Sequence, residues 1–377
     1  MKEAVRAQAV WLRGWILGVL VVALPLGAMA REPGPIECLK PDAQWDLACV
    51  RRAYADTPRA WPRPTVDAGV TWQELAPVPQ QAPFPPDNPP TPEKEALGRK
   101  LFFDARFSRK GEVSCASCHQ PTRSFTDGRQ LAVGDERLQG RRRTPTLFGA
   151  PFAPSQFWDG RAATLEEQVL MPIANPFEMN HALQDLPAKL KALPEYTPLF
   201  KAAFGRSEPR VSDVAQALAT FVRGIRPPAS RFDAFMQGKQ GALSDQEMLG
   251  LHLFRTKARC MNCHNGPLLT DFRFHDLGLS FYGRRNQDLG RFEATRDKAH
   301  LGQFKTPSLR GVAQAAPYMH NGIFPTLLGT VRMYNGGMGT VTGKPDDPYV
   351  PPKSPLIQPL QLTPAEIDAV VAWLQTL

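Results

Sequence analysis

Apolar residues recur at helical spacing in a few separated stretches of the chain, with long polar connections between them. Leu97, Leu101 and Phe102 follow Thr91 and Pro92, an N-cap and first-turn pair that predicts a helix start. Leu249, Leu253 and Phe254 follow Ser244, and Glu247 three residues on completes a capping box. Val214, Leu218, Phe221 and Val222 mark a third helix, and Ile367, Val370, Val371 and Leu374 a fourth that opens on the capping box of Thr363 and Glu366. No run alternates apolar and polar residues for long enough to predict a strand of note, so the expected fold class is all-α.

These stretches repeat. Leu97-Gly98-Arg99-Lys100-Leu101-Phe102 and Leu249-Gly250-Leu251-His252-Leu253-Phe254 share L-G-x-x-L-F. Thr144-Pro145-Thr146-Leu147-Phe148-Gly149 parallels Thr306-Pro307-Ser308-Leu309-Arg310-Gly311, and Trp158-Asp159-Gly160 parallels His320-Asn321-Gly322. The chain therefore reads as two related domains, 91–240 and 241–377, behind a leader at 1–30 and a proline-rich extension at 31–90. Of 38 prolines, 11 fall between Pro58 and Pro92, the composition of a linker or wrapping arm.

The leader sets the compartment. Lys2, Arg6 and Arg13 precede an apolar run from Trp15 to Leu26 and then Ala28-Met29-Ala30, the order of a secretory signal peptide. The run is too short to span a bilayer, and no later segment replaces it, so the expectation is an exported, periplasmic protein that is not integral to the membrane. Loss of residues 1–30 takes away three basic residues and one acidic one, and the formal charge falls from +9 to +7. A basic surface of that size favours an acidic partner or a membrane face. Nucleic acid is not an expected partner, because no basic stripe is interleaved with aromatics; Arg141-Arg142-Arg143 reads as a solvated turn or a structural group.

Six cysteines sort by spacing. Cys115-Ala116-Ser117-Cys118-His119 and Cys260-Met261-Asn262-Cys263-His264 are both C-x-x-C-H, the attachment signature of c-type haem: two thiols add to the vinyl groups and the adjacent histidine ligates iron. A thioredoxin-like pair or half a zinc site needs no histidine beside the second cysteine, still less twice. Cys38 and Cys49 remain, and export makes a disulfide the expected use of that pair, with metal binding the alternative. Helix, haem motif, loops and closing helix form the plan of a cytochrome c domain, here present twice with one covalent haem each.

The duplication also compares the open sides of the two irons. Registering Thr164-Leu165 on Thr326-Leu327 sets Pro172, which cannot bind iron, against Tyr334, which can. Met333 and Met338 are the alternative ligands for the second haem, since sulfur is usual in electron-transfer cytochromes. Near the first, Gln168 lies one helical turn before Pro172 and Glu178 six residues after it, a candidate donor and a candidate base for splitting a peroxide, although spacing alone favours solvated polar residues at both. Trp158 suits core packing or electron relay.

Gln156-Phe157-Trp158-Asp159-Gly160-Arg161-Ala162, continuing through Leu165, Glu167, Gln168 and Pro172 to Glu178-Met179-Asn180, resembles the bacterial di-haem cytochrome c peroxidase and MauG family, as does Pro317-Tyr318-Met319-His320-Asn321-Gly322. The resemblance covers residues 91–377. It implies a peroxidatic haem held by Cys115, Cys118 and His119, with Gln168 and Glu178 in its pocket, Trp158 between the haems, and an electron-transfer haem held by Cys260, Cys263 and His264. Tyr334 falls on the second haem's distal ligand, which is Met in typical peroxidases and Tyr in MauG-like members.

Three departures stand out. The loop histidine that blocks the first iron of typical peroxidases is absent, because no His lies between His119 and His181. The family's calcium uses an Asn side chain, replaced here by Arg143, and carbonyls that map to Ala315 and Pro317; a guanidinium cannot ligate calcium, which puts that ion in doubt. The surface Trp through which MauG draws electrons from a protein is Ala258 here.

The resemblance implies reduction of hydrogen peroxide with electrons from a small cytochrome c or copper protein. A MauG-like oxidase of a protein side chain and a non-catalytic di-haem electron carrier are the alternatives.

Overall fold

The computed structural model describes residues 38–341, 343 and 346–377, all within one compact unit, Pro33–Leu377; the expected leader lies outside them. Among the described residues no helix is long and apolar enough to cross a membrane. The architecture is mainly helical. It departs from the all-α expectation by a small antiparallel ribbon, Phe274–Asp276 against Gln303–Lys305, whose strands are too short to show a period in sequence.

The helix starts follow their caps. Thr91 accepts from the Lys94 amide at the head of Pro92–Phe103, and Ser244 and Thr363 close capping boxes at the heads of Asp245–Arg255 and Pro364–Leu374. L-G-x-x-L-F has a packing reason in both halves. Gly98 lies against the backbone carbonyl of Ala217 in the Val211–Gly224 helix, and Gly250 against that of Ala369 in Pro364–Leu374; a methyl at either glycine would overlap that carbonyl. Each half is thus built on a close crossing of its first and last long helices.

Two buried apolar clusters result. Leu97, Leu101, Phe102, Val214, Leu218 and Phe221 belong to one; Leu251, Phe254, Ile367, Val370 and Trp373 belong to the other, and the division falls between Ile225 and Phe232. The extension does not stand apart. Val50, Tyr54, Trp61 and Leu75 sit inside the second cluster. The fully buried Arg255 guanidinium pairs with Glu74 and donates to the Pro62 carbonyl at 2.6 Å, and the Cys38–Cys49 disulfide closes the loop ahead of the Leu47–Ala53 helix. Further along, Asn88 reaches the first half, donating to Glu166 and to the Gln216 carbonyl.

Candidate haem sites

Two cavities lie over the two pentapeptides. The first, about 580 Å³, is lined by Cys118, His119, Gln168, Pro172 and Glu178. The second, about 200 Å³, is lined by Cys260, Cys263, His264 and Tyr334. In each, the loop after the pentapeptide returns a carbonyl to the imidazole: His119 Nδ1 donates to Phe125 O at 2.9 Å and His264 Nδ1 to Leu269 O at 2.9 Å. A carbonyl can only accept, so Nδ1 carries the proton and Nε2 keeps its lone pair for a metal. Burial lowers both imidazole pKa values, which holds them neutral as ligands must be. Two thiols in each pentapeptide, at least one of them lining the cavity, and a preset imidazole fit one c-type haem apiece.

The sides facing these imidazoles differ. Thr164 caps the Leu165–Ala174 helix, which carries Gln168 and Pro172 into the lining of the first cavity. Glu178 follows that helix; Asn175 Nδ2 donates to its Oε1 at 2.8 Å, and burial pushes its pKa up against the pull of Asn175 and Arg161. Among the described residues that line this cavity, His119 is the one imidazole. In the second half, the Leu327–Asn335 helix brings Tyr334 into the lining. Met333 lies elsewhere, 37% exposed against a separate surface pocket, and Met338 is buried but does not line the second cavity. Burial drives the Tyr334 phenol far up, so a phenolate there needs a facing cation such as ferric iron.

Trp158 is buried in the wall between the cavities and lines both. Its Nε1 donates to the Arg143 carbonyl at 2.9 Å. Its repeat counterpart His320 meets it edge-on at 6.5 Å between ring centroids and stacks on Phe304 at 3.5 Å. Beside this column Arg142 is clamped by Asp288, at 2.7 and 2.8 Å, and by Asp159 at 2.5 Å. The basic triplet is therefore a structural group inside the fold, with only Arg141 turned outward to Glu293. Arg143 is buried and its guanidinium donates to Ala315 O, one of the carbonyls a calcium ion would need. These residues do not fit calcium.

Reading along the chain missed Lys305, which lines both cavities beside Arg143. The signal was present, because Arg143 and Lys305 each precede the repeated Thr-Pro.

Comparison with known proteins identifies the family. Residues 92–241 match the family model described as di-haem cytochrome c peroxidase. The methylamine utilization protein MauG of Methylorubrum extorquens is 38% identical over 342 residues, 88% of this chain and 93% of that one. A cytochrome-c peroxidase, IdrP1, of Pseudomonas sp. is 34% identical over 80% of this chain and 85% of its own length. Among solved structures, a MauG-like protein associated with microbial copper homeostasis superposes with a TM-score of 0.71 at 33% identity, covering 79% of this chain and 94% of that one. The diheme peroxidase BthA of Burkholderia thailandensis gives 0.65 at 27% identity, over 83% and 94%. The chain belongs to the di-haem cytochrome c peroxidase and MauG family, and is an oxidoreductase with two c-type haems.

Proposed function

We propose that the protein is an exported, periplasmic peroxidase that reduces hydrogen peroxide at the first cavity, with electrons from a small cytochrome c or copper protein arriving by way of the second. The carrying observation is that Gln168, Pro172 and Glu178 line the cavity that holds His119, whereas Tyr334 stands at the counterpart position in the other. Cys115, Cys118, Cys260 and Cys263 are the covalent anchors in this reading, and His119, His264 and Tyr334 the metal ligands. When bound, the haems supply the peroxide-binding iron and the second centre that stores and passes electrons.

The chain's own residues manage protons and position. Burial keeps the Glu178 carboxyl protonable nearer neutrality than a free glutamate, so it can take a proton from one peroxide oxygen and return it to the other. Asn175 fixes one carboxyl oxygen, leaving the other for that exchange. The Gln168 amide supplies a donor for the departing oxygen. Trp158, held by the Arg143 carbonyl, gives an indole in the wall shared by the two sites.

A MauG-like oxidase of a protein substrate is the second reading, favoured by Tyr334 lining the second cavity while Met333 does not. Ala258, buried and without a redox-active side chain, speaks against it. Steady-state turnover of reduced cytochrome c with hydrogen peroxide separates the readings. A peroxidase turns over, a MauG-like oxidase does so poorly, and a carrier consumes no peroxide. Glu178→Gln should slow peroxide turnover about 10²-fold or more; an unchanged rate removes Glu178 from the mechanism.

A further inference from the structure

Arg143 and Lys305 occupy matching places in the two repeats, each one residue ahead of Thr-Pro, and the backbone treats them alike. Arg143 N donates across to the His320 carbonyl at 2.7 Å, and Lys305 N donates across to the Trp158 carbonyl at 2.8 Å. Their side chains cross too: the Arg143 guanidinium donates to Ala315 O, and Lys305 Nζ to Ser155 O at 2.6 Å. Both residues line both cavities.

Neither cation has an ion-pair partner among the described residues. Arg143 is 6% exposed and its Nε has no hydrogen-bond partner. The carboxylates that act on them from a distance are otherwise engaged: Asp127 accepts from Thr144 and the Arg129 amide, and Asp159 binds Arg142 and Arg161. Burial pulls the Arg143 pKa down to about 10 and that of Lys305 to about 8, the mark of cations short of counter-charge. Two uncompensated cations in one wall are costly unless anions come to them. A haem brings two carboxylates, and a guanidinium fork and an ammonium are the side chains that take carboxylates.

We propose that Arg143 and Lys305 are paired seats for the carboxylate side chains of the two haems, a fixed set of cations in the wall between the cavities that stands in place of a metal ion. This rests on the placement of one haem in each cavity proposed above. Because each cation borders both cavities, each acts on both haems. Positive charge beside a haem favours its reduced form, so losing either cation lowers both reduction potentials.

The test is potentiometric titration of the holoprotein and of Arg143→Gln, Lys305→Gln, Arg143→Lys and Lys305→Arg, each checked for two haems per chain. Both Gln variants should shift both haems to lower potential, and both charge-conserving variants should restore most of the shift. Unchanged potentials in a Gln variant that keeps both haems would overturn the proposal, as would equal shifts in the Gln and conservative variants. The wild type supplies a reading that needs no variant. Dialysed holoprotein should carry no stoichiometric calcium, and chelator or added calcium should leave both potentials in place; one tightly bound calcium per chain would overturn the proposal. Failure of haem placement shows instead as two covalent haems per chain retained with unchanged spectra in Cys118→Ala or Cys263→Ala, a separate readout.

Discussion

The first cavity, at about 580 Å³, and the second, at about 200 Å³, share a helix crossing over a glycine, a pentapeptide, a returning carbonyl on Nδ1 and a wall that contains Trp158. They diverge on the side facing the imidazole, where one helix offers Pro172 and Gln168 and its counterpart offers Tyr334. Duplication left the scaffold alike and confined the difference to a few side chains. A change of one residue on that face can alter what a site does without altering how it is held.

The strongest way to break the contrast is the loss of Glu178 described above. Next comes the scaffold: Gly98→Ala and Gly250→Ala each press a methyl onto a helix carbonyl and should each cost about 2–3 kcal/mol, read by denaturant unfolding. Similar costs would show that the two crossings are equivalent; a neutral effect at either would show that this crossing can relax. Pro172→Tyr transplants the second site's residue into the first. It should lower both cyanide binding and peroxide turnover by about tenfold or more, a change of about 1.4 kcal/mol. Retention of both would mean that position 172 does not face the bound ligand.

The smallest effect is a pH signature of the second half. Asp276 is 1% exposed, its Oδ2 has no hydrogen-bond partner, and burial raises its pKa to about 6. The unfolded chain ionises it near 3.8, so the folded state holds the proton longer and stability falls as pH rises from about 4 to about 6. Asp276→Asn should therefore gain on the order of 1–2 kcal/mol at pH 7 and little at pH 4. A gain at pH 4 as large as that at pH 7 would refute the assignment.

Much of the site could be read from the chain. The pentapeptides, the caps at Thr91, Ser244 and Thr363, the pairing of Cys38 with Cys49 and the register of Pro172 on Tyr334 depend on local spacing, and spacing survives in sequence. What escaped depends on residues far apart. Glu74 meets Arg255 and Tyr54 meets His252 at 3.1 Å across nearly two hundred positions, and no local period announces such pairs. Lys305 escaped for another reason: a single lysine in a three-residue strand reads as a surface charge until the repeat is used to align it with Arg143.

The strap of residues 38–75 has a consequence for biosynthesis. These residues are synthesised well before Ile367, Val370 and Trp373, yet their apolar side chains belong to a core that those three complete. Closing a loop of that length is slow. The opening segment waits, its Trp61 and Tyr54 uncovered, until the Pro364–Leu374 helix has been made, so this core closes only when residues more than three hundred positions apart are both available.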